Sequence, residues 1–143
     1  MSSSINGTKA IVIPSKYTSI TPSESFTDDS YGVVFWHTLF SQPQTSTSDL
    51  CAGIAVCPPE SGHLCGHRHE QAEIYYIIEG YGEITIDGVK SHVAKGSSVF
   101  IPPNADHGVA NTGTEDLRWF YVFPTSAFGD VVYRFTKDEK TRL

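Results

Sequence analysis

Short β-prone segments, separated at close intervals by turn residues, set the fold class of this chain. The 143 residues include 12 glycines and 8 prolines, which punctuate aromatic and β-branched segments such as 31–40 (YGVVFWHTLF) and 117–123 (LRWFYVF). Such residues favour extended strands. Asp87-Gly88, between two alternating segments, is a strong hairpin signal. The pattern predicts an all-β sandwich or barrel of about nine strands, with at most one helical turn.

The length of the chain indicates one compact domain with a core of useful size. Residues 1–30 are rich in serine and threonine and predict an N-terminal arm, with one short β-like run at Ala10–Ile13. Residues 31–136 carry the regular strand pattern and predict the barrel. Residues 137–143 (KDEKTRL) predict a polar C-terminal tail.

Composition excludes several classes of protein and partner. Sixteen acidic residues against ten basic ones give a formal charge of −6, and no basic stripe is available for nucleic acid. No run of eighteen apolar residues predicts a membrane span. The N-terminus lacks the pattern of a secretory signal, and three cysteines do not make a disulfide framework. We therefore expect a cytoplasmic protein, in which Asn6-Gly7-Thr8 is not glycosylated.

A cluster of metal-ligating residue types lies between positions 67 and 73. His67 and His69 are two residues apart, and Glu73 follows four residues later. Even separations put side chains on one face of an extended chain, so these three residues and Tyr75 share one wall if the strand stays in register. Two imidazoles and a carboxylate form a facial triad, which binds divalent iron, manganese, nickel or zinc. His107, on a later strand, could supply a fourth ligand from across the barrel.

The alternative interpretation is a chance pair of histidines on the surface. Six histidines occur in the chain, and a His-x-His pair alone is a weak motif. Glu73 favours the metal site over a chance pair, because it begins the most apolar strand of the sequence. A carboxylate is costly to bury there unless it is paired or bound to a metal. The remaining histidines, 37, 63 and 92, are interpreted as satisfied or solvated side chains.

The candidate ligands lie within two spaced motifs. The first motif is carried by Gly62, His67, His69, Glu73 and Gly80. The second motif is carried by Gly96, Pro102, Asn104, His107 and Asn111. Together they resemble the two motifs of the cupin family. Asn104 stands where the family motif has glycine, and asparagine also tolerates the left-handed conformation. The first segment is one residue shorter than the commonest spacing, which shortens a loop.

This resemblance implies a double-stranded β-helix, the jelly-roll cupin barrel. It also implies one divalent metal ion inside the barrel, bound by His67, His69, Glu73 and His107. Small cupins commonly pair, so a homodimer is expected. The run Ala10–Ile13 could then add to the sheet edge of a neighbour, where backbone groups lack partners.

Longer stretches resemble the small cupin lyases that cleave dimethylsulfoniopropionate. The likeness covers AEIYYIIEG, the residues around His107, and FYVFPTSAFGDVVYRF. In those lyases the tyrosine two residues after the ligand glutamate is the proposed base, which implies a catalytic role for Tyr75, and a tyrosine near the last strands corresponds to Tyr133. The charge of a bound metal would favour the phenolate of Tyr75. The alternative for both tyrosines is core filling.

Three function classes remain open from the sequence. The first is a metal-dependent lyase or isomerase acting on a small oxygenated metabolite through a tyrosine acid or base. The second is an iron-dependent dioxygenase, because three histidines and one glutamate also suit O₂ chemistry. The third is a non-catalytic cupin that binds a small molecule. Trp36, Tyr121 and Phe123 are candidates for the walls of a pocket, and Arg68 is expected to point away from the metal.

Overall fold

A computed structural model describes the chain over residues 8–141. Short strands dominate, as the sequence predicts. The strands are β1 Glu24–Ser25, β2 Gly32–Val33, β3 Phe35–Phe40, β4 Cys51–Cys57, β5 His63–Arg68, β6 Glu73–Glu79, β7 Tyr81–Ile86, β8 Val89–Ala94, β9 Ser98–Ile101, β10 His107–Asn111, β11 Leu117–Phe123 and β12 Arg134–Phe135. The helices are α1 Tyr17–Ile20 and α2 Thr136–Thr141, with two 3-10 turns at Asp29–Tyr31 and Phe128–Asp130.

The strands form two antiparallel sheets. Sheet A has the order β1-β3-β4-β11-β6-β9, and sheet B has the order β12-β5-β10-β7-β8, with β2 also paired to β5. Apart from the consecutive pairs β3-β4 and β7-β8, the neighbours in each sheet are not consecutive in sequence, so the chain passes repeatedly from one sheet to the other. This is the jelly-roll arrangement, and it confirms the all-β double-stranded β-helix expected from the sequence.

The core lies between the inner faces of the two sheets. On β11, alternate residues are buried, and they include Trp119 and Phe123. Ile84 and Val109 face them from sheet B. Burying one large apolar side chain stabilises the fold by roughly 1.5–3 kcal/mol. The three cysteines are all free, which agrees with the absence of a disulfide framework.

The N-terminal and C-terminal segments are more ordered than a simple arm and tail. Within the predicted arm, β1 pairs with Phe35 and Trp36 of β3, and the ring of Phe26 packs edge-on against Trp36 and Phe135. Most of α2 lies in the predicted tail, and the two helices together exceed the single helical turn that was expected. Strand pairing therefore begins at Glu24, seven residues before the predicted barrel. Phe26, which follows β1, adds its ring to the aromatic core.

The run Ala10–Ile13 forms no strand, and Val12 is exposed, so its predicted role as an added strand stays a prediction. Residues 1–7 of the predicted arm, including Asn6 and Gly7, lie outside the described residues. Across residues 8–141, no helix is long and apolar enough to cross a membrane.

The predicted hairpin at Asp87-Gly88 joins β7 to β8. Asp87 has φ 48° and Gly88 has φ 82°, so both central residues are left-handed, as in a type I′ turn. A Cβ added at Gly88 would meet no atom within 4 Å. The cost of a side chain there is therefore conformational rather than steric.

We expect Gly88→Ala to lower the free energy of unfolding by about 1–2 kcal/mol, because alanine is strained at positive φ. Urea unfolding followed by circular dichroism measures this difference. Gly129→Ala is the control, since a Cβ at Gly129 also meets open space and no left-handed φ is required there. Equal stability of the two variants would contradict the proposed strain.

Candidate metal centre

Three histidines and one glutamate meet inside the barrel, and they come from both sheets. His67 lies near the end of β5 and His107 begins β10, and these two residues are direct partners in sheet B. His69 follows β5 immediately, and Glu73 is the first residue of β6 in sheet A. His67, His69 and Glu73 were expected to share one wall only if the strand stayed in register, and that condition fails, because the chain crosses between the sheets at residues 69–72.

The expected position of His107 across the barrel is also corrected. His107 lies beside His67, and Glu73 is the residue that faces them from the opposite sheet. The turn that precedes His107 is held to the first motif, because the Asn104 N–H donates to the His69 carbonyl over 2.8 Å. Asn104 has φ 64°, which confirms that asparagine replaces glycine in a left-handed position.

The ligand atoms of the cluster are close together and shielded from solvent. One ring nitrogen from each of His67, His69 and His107 lies within 4.8 Å of the others. The Oε1 atom of Glu73 lies 3.2 Å from Nε2 of His69 and 3.3 Å from Nε2 of His107. All four side chains are buried, with no more than 3% of any residue exposed.

Backbone carbonyls set the orientation of all three imidazole rings. The Nδ1 atom of His67 lies 2.8 Å from the Cys65 carbonyl oxygen. His69 and His107 have the same contact, at 2.9 Å, with the carbonyl two residues after and two residues before them, respectively. A carbonyl oxygen only accepts hydrogen bonds, so each Nδ1 carries the proton. In a neutral ring this tautomer leaves the lone pair on Nε2, which faces the centre of the cluster.

This arrangement brings three ring nitrogens and a carboxylate oxygen together at one buried point. Nε2 of His67 and Nε2 of His107 have no hydrogen-bond partner within the described chain. Burial lowers the pKa of His67 well below its usual value, and the neighbouring His107 lowers it further. Glu73 Oε1 lies beside Nε2 of both His69 and His107, and wherever these nitrogens carry no proton the contact joins two acceptors. A divalent cation resolves this conflict, so these residues fit a metal ion, and nitrogen and oxygen donors suit iron, manganese, nickel or zinc.

A cavity of about 390 Å³ opens beside the cluster. Glu73, Tyr75 and Tyr133 line it, so both predicted catalytic tyrosines lie next to the candidate ligands. The remaining walls are mostly apolar and aromatic. They include Phe26, Trp36, Trp119, Tyr121 and Phe128. This size and lining are typical of small-molecule sites.

The two tyrosines approach the histidines from different sides. The ring of Tyr133 stacks on His67, with centroids 4.4 Å apart and planes at 7°. The ring of Tyr75 lies edge-on to His107 at 6.3 Å. Burial raises the pKa of both phenols well above the usual value, and the charge of Glu73 raises it further. Both phenols are therefore neutral unless a cation offsets these effects.

The sequence predicts some of the residues that line the cavity and misses others. Trp36 and Tyr121, which the sequence suggests as walls, line the cavity, whereas Phe123 instead packs edge-on against His69 at 5.2 Å. Phe26 and Phe128 were missed, because they lie in segments without a strand pattern. Only their aromatic character, unusual for loops, could have singled them out.

Arg68 points away from the cluster, as expected. Its guanidinium donates to the Asn104 carbonyl and contacts Glu139 of α2. Cys65 does not line the cavity. Its carbonyl orients His67, and its thiol contacts the Ser30 carbonyl at 3.3 Å.

Comparisons with known proteins agree with this architecture. The Cupin domain family model matches residues 55–123. Dimethylsulfoniopropionate lyase DddW of Ruegeria pomeroyi is 40% identical over 116 residues, which cover 80% of this chain and 74% of that protein. The H2HPP isomerase of Bacillus subtilis is 30% identical over 70 residues, or 49% of this chain and 30% of that protein.

Among solved structures, the polyketide cyclase RemF of Streptomyces resistomycificus superposes with a TM-score of 0.71. The match covers 92% of this chain and 94% of that one at 18% identity, so it supports the fold alone. The family model and the long match to DddW cover both histidine motifs, His67 to Glu73 and the segment around His107. The chain belongs to the cupin family.

Proposed function

We propose that this protein is a metal-dependent lyase. One observation carries the proposal: three oriented Nε2 lone pairs and a buried carboxylate converge beside an aromatic cavity that also contains two buried tyrosines. In this proposal His67, His69, Glu73 and His107 hold one divalent ion. When bound, the ion supplies Lewis-acid polarisation of a substrate oxygen.

The substrate class follows from the similarity to DddW and from the character of the cavity. We propose dimethylsulfoniopropionate, which carries a carboxylate at one end and a sulfonium at the other. The aromatic rings of Trp36, Trp119 and Tyr121 line the cavity, and aromatic faces attract cationic groups. Among residues 8–141, Glu73 is the acidic residue that lines the cavity, so in this proposal recognition of a sulfonium relies on these rings.

Tyr75 is the proposed base. It removes a proton from the carbon next to the substrate carboxylate, and the electron pair of that C–H bond forms a carbon–carbon double bond. The bond from the β carbon to sulfur breaks, and its electrons leave with dimethyl sulfide. The organic product is acrylate. Because burial and Glu73 raise the pKa of Tyr75, this role depends on a cation in the cluster.

Tyr133 is the proposed positioning residue. Its ring covers one face of His67 in a parallel stack, which restrains the imidazole and excludes water from that side. Tyr133 lines the same cavity as Tyr75. It is the next candidate for proton transfer if Tyr75 proves dispensable.

Removal of a histidine tests the metal assignment. We expect His67→Ala and His107→Ala to lose stoichiometric metal, because each removes a lone pair that no neighbouring residue replaces. Elemental analysis of purified protein measures the metal, and circular dichroism checks that the β fold is retained. His92→Ala is the matched control, since His92 is exposed on β8. Full metal content in both test variants would refute the ligand set.

Removal of the Tyr75 hydroxyl tests the base. We expect Tyr75→Phe to lower kcat by about 10²–10⁴-fold, the usual loss for a general acid or base, while metal content is kept. Formation of acrylate from dimethylsulfoniopropionate gives the rate. Tyr76→Phe is the control, because Tyr76 is the next residue on β6 and faces outward. An unchanged kcat in Tyr75→Phe would reduce Tyr75 to a wall of the cavity.

Oxygen dependence separates the lyase from a dioxygenase. Elimination consumes no O₂, so we expect the same rate of acrylate formation in anaerobic buffer as in air. The protein is loaded with each candidate metal in turn, and acrylate is measured by chromatography. Turnover that requires O₂ would favour the iron-dependent dioxygenase, and metal-loaded protein that binds the substrate without turnover would favour a binding cupin.

A further inference from the structure

Asn104 lies in the turn before β10, and three of its polar groups contact other parts of the chain. Its backbone N–H donates to the His69 carbonyl over 2.8 Å. Its carbonyl accepts from Nη1 of Arg68 over 3.0 Å, and its side-chain oxygen Oδ1 accepts from Nη2 of Arg134. Arg68 lies between two candidate ligands in sequence, and Arg134 directly follows Tyr133. One residue therefore joins this turn to the first histidine motif and to the C-terminal segment, residues 131–141.

Of these three contacts, the one with Arg134 depends on the side chain at position 104. The φ angle of Asn104 is 64°, a left-handed value that glycine adopts at lower cost than asparagine. A glycine would keep the N–H and carbonyl contacts and would remove the acceptor of Arg134. The asparagine therefore adds a specific contact at a position where the backbone alone favours glycine.

The C-terminal segment depends on side-chain contacts because its backbone pairing is short. The strand β12 contains two residues and pairs with the end of β5, where Phe135 lies opposite His67. Phe135 is buried and Arg134 is exposed, while Tyr133 lines the cavity and stacks on His67. Arg134 thus points outward between two inward rings, so a contact that holds its guanidinium restrains both neighbours.

Two neighbouring arginines also require an acceptor at this position. Arg134 and Arg68 are direct partners across β12 and β5, and like charges placed opposite each other destabilise a pair of strands. The two oxygen atoms of Asn104 accept one hydrogen bond from each guanidinium, and Glu139 forms an ion pair with Arg68 at 3.4 Å. The amide oxygen of Asn104 therefore offsets part of the repulsion by accepting from Arg134.

We propose that the side chain of Asn104 is a positioning residue for Tyr133. By holding Arg134, it keeps β12 on the end of β5 and keeps the ring of Tyr133 parallel to His67, with centroids 4.4 Å apart. This role rests on the positioning role proposed above for Tyr133. The strand contact and the ring contact can both be measured without turnover, so failure of this role is distinguishable from failure of the proposed lyase reaction.

Hydrogen exchange on the full-length protein, supplied with zinc, measures how often β12 opens. Asn104→Gly keeps the left-handed turn and removes Oδ1. We expect it to accelerate exchange of residues 133–136 by about tenfold, the loss expected for a hydrogen bond to a charged group, while β6 and β11 exchange as in the wild type. Asn104→Asp keeps an acceptor and tolerates the same φ, so it should retain protection. Glu60→Gly is the matched control, because Glu60 also has a left-handed φ of 72°.

Nuclear magnetic resonance reports the ring contact itself. The imidazole of His67 lies parallel to the ring of Tyr133, so the ring current of the phenol shifts the carbon-bound protons of His67. Tyr133→Leu removes that ring and gives the unshifted resonances. We expect Asn104→Gly to move the His67 resonances toward those of Tyr133→Leu, and Asn104→Asp to resemble the wild type.

Arg134→Met removes the other partner and covers the case in which Asn104→Gly fails to fold. It should open β12 by a similar factor, and Asn104→Gly added to it should cause no further opening, because the contact is already absent. Arg118→Met is the control, since it removes an exposed arginine that donates to Glu79 on sheet A. Wild-type exchange of β12 and wild-type His67 resonances in either folded single variant, or additive effects in the double variant, would overturn the proposed role.

Discussion

The convergence of three imidazoles on one buried carboxylate is the constraint around which this barrel is organised. Each ring donates its Nδ1 proton to a nearby backbone carbonyl, so each Nε2 atom is directed inward before any ion binds. Lone pairs and a carboxylate are costly to bury together without a cation. The fold orients these groups in advance through the carbonyls of residues 65, 71 and 105, and the resulting site favours positive charge.

The side chains along β6 alternate between the interior of the barrel and its surface. Glu73, Tyr75 and Ile77 all point inward, so successive inward positions run from the ion site to the proposed base and then to the apolar core. On the neighbouring β11, Tyr121 lies opposite Tyr75 and Trp119 lies opposite Ile77. The same alternation sends Ile74 and Tyr76 outward, to the exposed side of sheet A. Because side chains alternate along β6, this strand contributes to the candidate ion site and the cavity on one face and to the surface on the other.

Local signals predicted local structure well. The Asp87-Gly88 hairpin follows from two adjacent residues that tolerate positive φ, and the left-handed Asn104 follows from the same property. The argument from even spacing failed at residues 69–72, because the period of two holds only while a strand continues. The cavity walls were predicted only in part, since Phe26 and Phe128 reach the site from segments that are remote in sequence and carry no strand pattern.

The sequence by itself determined the all-β class, the hairpin, and the residue types and spacing of the candidate ligands. These depend on turn chemistry, strand propensity and the donor atoms of the side chains, which are properties of short segments. Only the tertiary structure decided that His107 lies beside His67, that Glu73 faces them from the other sheet, and that Tyr133 stacks on His67. The physical reason is that strand order and register in a jelly roll are set by packing across the whole core, which no short segment encodes.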